Sequence, residues 1–152
     1  MTDTFYGGGY VKREDEQQPL TNFQKVGQFM TSFEQEVKTK AEFPSEKVQK
    51  LRFDLIDEEL TELHEGMQNE SLVEIADALT DLLYVVYGAG HAYGIDLDKT
   101  FAEVHRSNMT KLGEDGKPIR REDGKVMKSS RYEPPKLEEI VHGNTEGNSE
   151  AP

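Results

Sequence analysis

Two stretches decide how this chain folds: LRFDLIDEELTELHEG at residues 51–66 and EIADALTDLLYVVYGAG at residues 74–90. In the first, Leu51, Leu55 and Leu63 recur at helical intervals, with carboxylates filling many of the positions between them. The second is apolar almost all round, interrupted by Glu74, Asp77 and Asp81. Neither shows the two-residue alternation of a half-buried strand. Both read as helices.

Working outward, Pro44 and Ser45 open the first of these helices, with Ser45 as its N-cap, and it runs to about Gly66. Ser71 opens the second, which continues to about Tyr93, and Ser71-Leu72-Val73-Glu74 fits a capping box. Upstream, Phe23, Val26, Phe29, Met30, Phe33 and Val37 predict an amphipathic helix from Asn22 to about Lys38. Downstream, Phe101, Val104 and Leu112 mark a fourth helix from about Asp98 to Lys111. Asp115-Gly116 and Asp123-Gly124 then give two turn signals eight residues apart, and Pro134-Pro135 closes that segment. The expected fold is an all-α bundle of four helices with a turn-rich basic extension. Residues 1–20 read as a flexible arm, 21–136 as the domain, and 137–152 as an acidic, disordered tail.

Composition excludes much. A chain of 152 residues builds a core without staples, and the absence of cysteine removes disulfides, thiolate metal sites and cysteine nucleophiles. The net charge of −12 argues against a nucleic-acid polymer or an anionic membrane as partner. The longest uncharged stretch, Leu82 to Ile95, is too short to span a bilayer, and the N-terminus lacks the apolar run of a secretory signal. The expectation is a soluble cytoplasmic protein. Its charge is unevenly spread: residues 53–98 hold 12 acids and no Lys or Arg, whereas residues 99–136 hold 10 bases and 6 acids.

A helical wheel at about 100° per residue, centred on Leu51, places Glu58, Glu59 and Glu62 within the arc of the apolar face. On the next helix Glu74, Asp77 and Asp81 form a stripe that Tyr84 and Gly88 extend. A helix this apolar should be largely buried, so its acids should face something other than water. Buried carboxylates need counter-charge, and none lies between Arg52 and Lys99. Divalent cations supply it most economically, and oxygen-only ligands favour Mg²⁺ or Mn²⁺ over Zn²⁺. Sites of this kind complete their coordination with water and substrate phosphates, for which the basic stretch offers donors. His64, His91 and His105 lack metal-ligand spacing and read as structural or surface residues.

Glu58-Glu59-Leu60-Thr61-Glu62, followed by Glu74-Ile75-Ala76-Asp77, resembles the EExxE…ExxD signature of the all-α NTP pyrophosphohydrolases. This MazG-like group includes dimeric dUTPases and phosphoribosyl-ATP pyrophosphohydrolase. The resemblance runs from about Phe23 to Pro135 and continues through VHRSNMTKL. It implies hydrolysis of a nucleoside triphosphate to the monophosphate and diphosphate. It further implies that Glu58, Glu59, Glu62, Glu74 and Asp77 bind two or three Mg²⁺ or Mn²⁺ ions, with Glu59 acting on the attacking water. Asn108, Lys111, Lys125 and Lys128 are implied to bind the nucleotide and its phosphates; the helical stripe, rather than the motif, adds Tyr84 as a further substrate contact and Asp81 as support to the ligands from behind. The group assembles as homodimers or homotetramers. Phosphoribosyl-ATP hydrolysis and a non-catalytic helical module are the alternative readings.

Overall fold

The computed structural model describes residues 19–143. The expected N-terminal arm, apart from Pro19 and Leu20, lies outside the described residues, as do residues 144–152 of the expected tail. Five helices follow in order: α1 (Asn22–Ser32), α2 (Glu46–Gln68), α3 (Leu72–Tyr93), α4 (Leu97–Met109) and α5 (Leu137–His142). Among the described residues the only extended pairing is two isolated antiparallel bridges, Leu112 with Pro118 and Arg120 with Val126. The all-α class holds.

The helices start where short polar side chains can take the orphan amides. Ser45 accepts from Val48 N, and Thr21 and Gln24 form a full capping box at α1. Ser71 makes only half of its expected box. Its hydroxyl accepts from Glu74 N at 3.3 Å, but the Glu74 carboxylate accepts from Asn69 Nδ2 instead. α1 stops at Ser32, short of the expected Lys38. Glu34 turns to a positive φ of 57°, and Gln35 N returns to Met30 O at 2.8 Å. The chain then straps across the end of α3, where Lys38 N and Glu42 N donate to the carbonyls of His91 and Tyr93. These amides satisfy acceptors that a helix C-terminus otherwise leaves open.

The principal packings are α2 on α3, α1 on α3 and α4 on α5. Phe23, Val26 and Met30 of α1 bury against the bundle with Ala78 and Ala92 of α3. His91 acts structurally: its ring stacks on Phe23 at 3.8 Å between centroids, and its Nε2 lies 2.8 Å from Phe23 O. The expectation that α3 is largely buried fails within one chain. Leu72 and Val73 are each 81% exposed, and Leu79, Leu83 and Val86 are open as well. Two neighbouring helices cover only part of a cylinder that is apolar on most sides.

The turn-rich extension repeats one device. Asp115 Oδ1 accepts from Lys117 N at 3.0 Å, and Asp123 Oδ1 accepts from Lys125 N at 3.1 Å. In both turns a backbone pair closes the loop, Gly113 N to Lys117 O and Arg121 N to Lys125 O. Beyond it, residues 137–142 form α5 where a disordered tail was expected. The cause is an anchor on α4. Glu103 takes two bonds from Arg106, Nε at 2.8 Å and Nη2 at 2.9 Å, and a third from Lys136 N at 2.8 Å. Arg106 Nη1 reaches Glu133 at 2.9 Å, and Ser107 Oγ donates to Glu133 O. Bidentate pairing with Arg106 holds the Glu103 carboxyl down at about 2, well below its ordinary 4.5. The anchor therefore contributes fully above about pH 4.5 and is lost as pH falls through about 2. Replacing Glu103 with Gln should lower the protection of the amides across residues 136–142 against exchange at pH 7. Unchanged exchange would remove the anchor from this account.

Candidate functional site

α2 and α3 run antiparallel, and a glycine near each end of their seam makes room, at Gly66 for the facing backbone and at Gly88 for a side chain. A Cβ on Gly66 would lie 3.1 Å from Glu74 Cβ and from Ile75 N. A Cβ on Gly88 would lie 3.0 Å from Arg52 Nη1. Arg52 fills the second space and is only 9% exposed. Its Nη2 donates to Gln35 Oε1 at 3.1 Å and lies 4.0 Å from Met30 Sδ, while Nε has no partner. Burial pulls its pKa down. Among the described residues no carboxylate meets this guanidinium.

The wheel centred on Leu51 is corrected here, because Leu51 is half open to solvent and Arg52 lies at the middle of the buried face. Rotating the wheel by one residue changes which acid points inward. Glu59, two turns after Arg52 and about 10 Å along the axis, follows it into the seam. Glu58 and Glu62 are exposed on the flank, as are Asp77 and Asp81 on α3. Glu59 Oε2 is buried and has no hydrogen-bond partner. Its carboxyl is pushed up, first by burial and then by the like charges of Glu62, Asp81, Glu58 and Asp77.

Glu58 and Glu62 of α2 and Asp77 and Asp81 of α3 are thus near enough for their charges to act on the Glu59 carboxyl. Glu74 stands apart, its carboxylate held by Asn69. Among the described residues no three His, Asp or Glu side chains converge tightly enough to clasp an ion unaided. The donor set nonetheless suits a hard divalent cation: oxygen ligands only, one of them buried and unpartnered.

The basic candidates do not join this group within one chain. Asn108 Oδ1 accepts from Lys111 Nζ at 2.7 Å, and Lys128 Nζ sits 4.2 Å from the centre of the Tyr132 ring. Lys125 belongs to the second Asp-Gly-Lys turn. Among the described residues no ion pair links residues 99–136 to the acids of α2 or α3. Tyr84 does lie beside the acids, its ring met edge-on by Phe29 at 5.5 Å. It also lines a groove between α1 and α3 with Asn22, Lys25, Val26, Thr80, Leu83 and Tyr87. Arg52, Asn22, Lys25 and Thr80 were invisible to sequence reasoning, since each looks like an ordinary helix-surface residue until its neighbours are known.

A carboxylate whose pKa is raised weakens the fold at any pH where it must ionise. The weakening is full above the raised value and disappears as pH falls into the ordinary carboxylate range. Glu59→Gln should therefore raise the Tm of the metal-free protein at pH 7 to 8, with the gain vanishing near pH 4. A lowered Tm at neutral pH would show that Glu59 has a stabilising partner.

Residues 26–108 match the family model for phosphoribosyl-ATP pyrophosphohydrolase. An uncharacterised protein of Acanthamoeba polyphaga mimivirus is 44% identical over 82 residues, which span 51% of this chain and 33% of that protein. A crystal structure of a candidate NTP pyrophosphohydrolase from Exiguobacterium sp. 255-15 is 27% identical, covering 78% of this chain and 91% of its own, at a TM-score of 0.43. Among the described residues no helix is long and apolar enough to cross a membrane.

Proposed function

We propose, from the premise that this chain belongs to the phosphoribosyl-ATP pyrophosphohydrolase family, that it hydrolyses a nucleoside triphosphate to the monophosphate and diphosphate with Mg²⁺ or Mn²⁺. The observation that carries the reading is the buried, unpartnered oxygen of Glu59 among four further acids. Such a cluster repels itself and becomes favourable only when cations fill it. Glu58, Glu59, Glu62, Asp77 and Asp81 would hold the ions, and Glu74 would join them by releasing Asn69. Bound there, the ions would polarise the phosphoric anhydride and lower the pKa of a coordinated water. Glu59, with its raised affinity for a proton, is the residue of the set best suited to take one from that water. The cytoplasm, where triphosphates are made and used, is the compartment this activity fits.

Phosphoribosyl-ATP is the second candidate substrate, favoured by the family's own description. Diphosphate release should be measured from each dNTP and NTP and from phosphoribosyl-ATP, with saturating Mg²⁺ or Mn²⁺. Turnover should vanish on chelation and fall at least 100-fold in Glu59→Gln and Asp77→Asn, with the helical circular-dichroism signal kept. No diphosphate from any of these substrates would overturn the reading.

Among the described residues no Lys or Arg of residues 99–136 pairs with the acids of this site, and large apolar side chains are left uncovered. Leu72, Leu79, Leu83 and Val86 share one side of α3, and Phe53 and Phe101 are also open. A homodimer or homotetramer would bury these residues and let α4 and the basic extension of one copy, with Asn108, Lys111, Lys125 and Lys128, approach the acids of another. Light scattering should give a small multiple of the 17.3 kDa chain mass. Leu79→Glu should shift it to the monomer and abolish turnover together. An active monomeric variant would exclude a shared site.

A further inference from the structure

α2 and α3 form a hairpin that is closed at one end and propped at the other. At the closed end residues 69–71 join the helices, Ser71 N returns to Gly66 O at 3.1 Å, and Gly66 packs against Glu74 and Ile75. Seven residues from that contact on each helix, two turns or about 10 Å, Glu59 comes level with Asp81. Seven more bring Arg52 level with Gly88, where the guanidinium occupies the space that the glycine leaves. The acids therefore stand midway between a backbone contact and a side-chain prop.

Position 52 is an expensive place for a charge. Val48, Leu55 and Ile56 are its half-buried neighbours on the inward side of α2, so an aliphatic residue there would pack among its own kind. The chain instead buries a cation whose Nε has no partner, and among the described residues no carboxylate pairs with it. Such an arrangement lowers stability. A residue kept against that cost has a use beyond filling the interior.

The guanidinium is also held at a fixed depth. Nη2 donates to Gln35 Oε1 at 3.1 Å and lies 4.0 Å from Met30 Sδ, and Gln35 is itself tied back through its amide to Met30 O. A leucine in its place would end short of Gly88. Close-packed interiors do not keep such gaps, so the open end of the hairpin would settle inwards. A Cβ on Gly88, 3.0 Å from Nη1, would press the other way and part the helices.

We infer that Arg52 is a positioning residue: resting against Gly88, it sets the width of the α2–α3 seam and so the separation of Glu59 from Asp77 and Asp81 across it. It touches neither cation nor substrate and acts only through the spacing of the acids. Metal ligands must be held to within about 0.5 Å of their working geometry, so a small change in that width is enough to matter. The inference rests on the proposed divalent-cation site and names what fixes its geometry.

The test is Mn²⁺ affinity without nucleotide, read by electron paramagnetic resonance, beside the Tm of the metal-free protein, in wild type, Arg52→Leu, Gly88→Ala and Arg52→Met. Arg52→Leu should weaken Mn²⁺ binding at least tenfold. Its Tm at pH 7 should stay level or rise, because an unpaired cation has left the seam. Gly88→Ala should weaken binding at least tenfold by widening the same gap. Arg52→Met, unbranched and nearly as long as arginine, should bind close to wild type. Unchanged affinity in Arg52→Leu or Gly88→Ala overturns the inference, as does an equal loss in Arg52→Leu and Arg52→Met, which would trace the effect to charge. A Tm that falls with the affinity in Arg52→Leu also overturns it, leaving Arg52 a plain structural residue. Wild type that binds no Mn²⁺ defeats the cation site and this inference with it, whereas Mn²⁺ binding without hydrolysis of any triphosphate defeats the proposed activity alone.

Discussion

The seam between α2 and α3 is the constraint on which the rest of the molecule depends. Gly66 lets the two helices meet closely at one end, Gly88 leaves room for the Arg52 guanidinium at the other, and the inward side of α2 carries Arg52 and then Glu59 along one line. One is a cation without an anion and the other an oxygen without a donor. Both would cost stability if left so in a sealed interior. The seam is instead open at its middle, where Glu58, Glu62, Asp77 and Asp81 remain at the surface around Glu59. That combination, one inward acid and four outward ones, makes a site rather than a core.

The division of labour among the other elements follows. α1 is tied to α3 through the His91–Phe23 stack, and this places its aromatic residues beside Tyr84 and Tyr87. The strap after α1 closes the end of α3 and delivers Gln35 to Arg52. Glu103 of α4 ties the start of α5 to that helix, while Thr21 before α1 donates to Asp98 at the other end of α4. Among the described residues no ion pair joins the bases of residues 99–136 to the acids of α2 or α3.

Much of this was legible beforehand, and the limits are physical. The caps at Ser45 and Ser71 and the periodicity between them fixed α2 and α3 closely, because both signals are local. The end of α1 was misplaced since Val37 keeps helical register while the backbone has already turned at Glu34. α5 was missed because a six-residue helix is stabilised by its dock on Glu103 and not by its own sequence. The inward turn of Glu59, rather than Glu58 and Glu62 as well, depended on whether Leu51 or Arg52 faced α3. An arginine at the centre of a helix interface cannot be anticipated from composition, since its place is made by a glycine 36 positions away.

That glycine also ties the history of one position to the other. A methyl group at Gly88 would press on the guanidinium of Arg52, and a smaller residue at position 52 would leave a hollow beneath Gly88 and strip Gln35 of its donor. The two positions share one space, so the effects of changing them do not simply add. Lineages carrying this fold should therefore keep the two residues as a pair or exchange them as a pair. A chain that had lost only one would be the exception needing a third change to accommodate it.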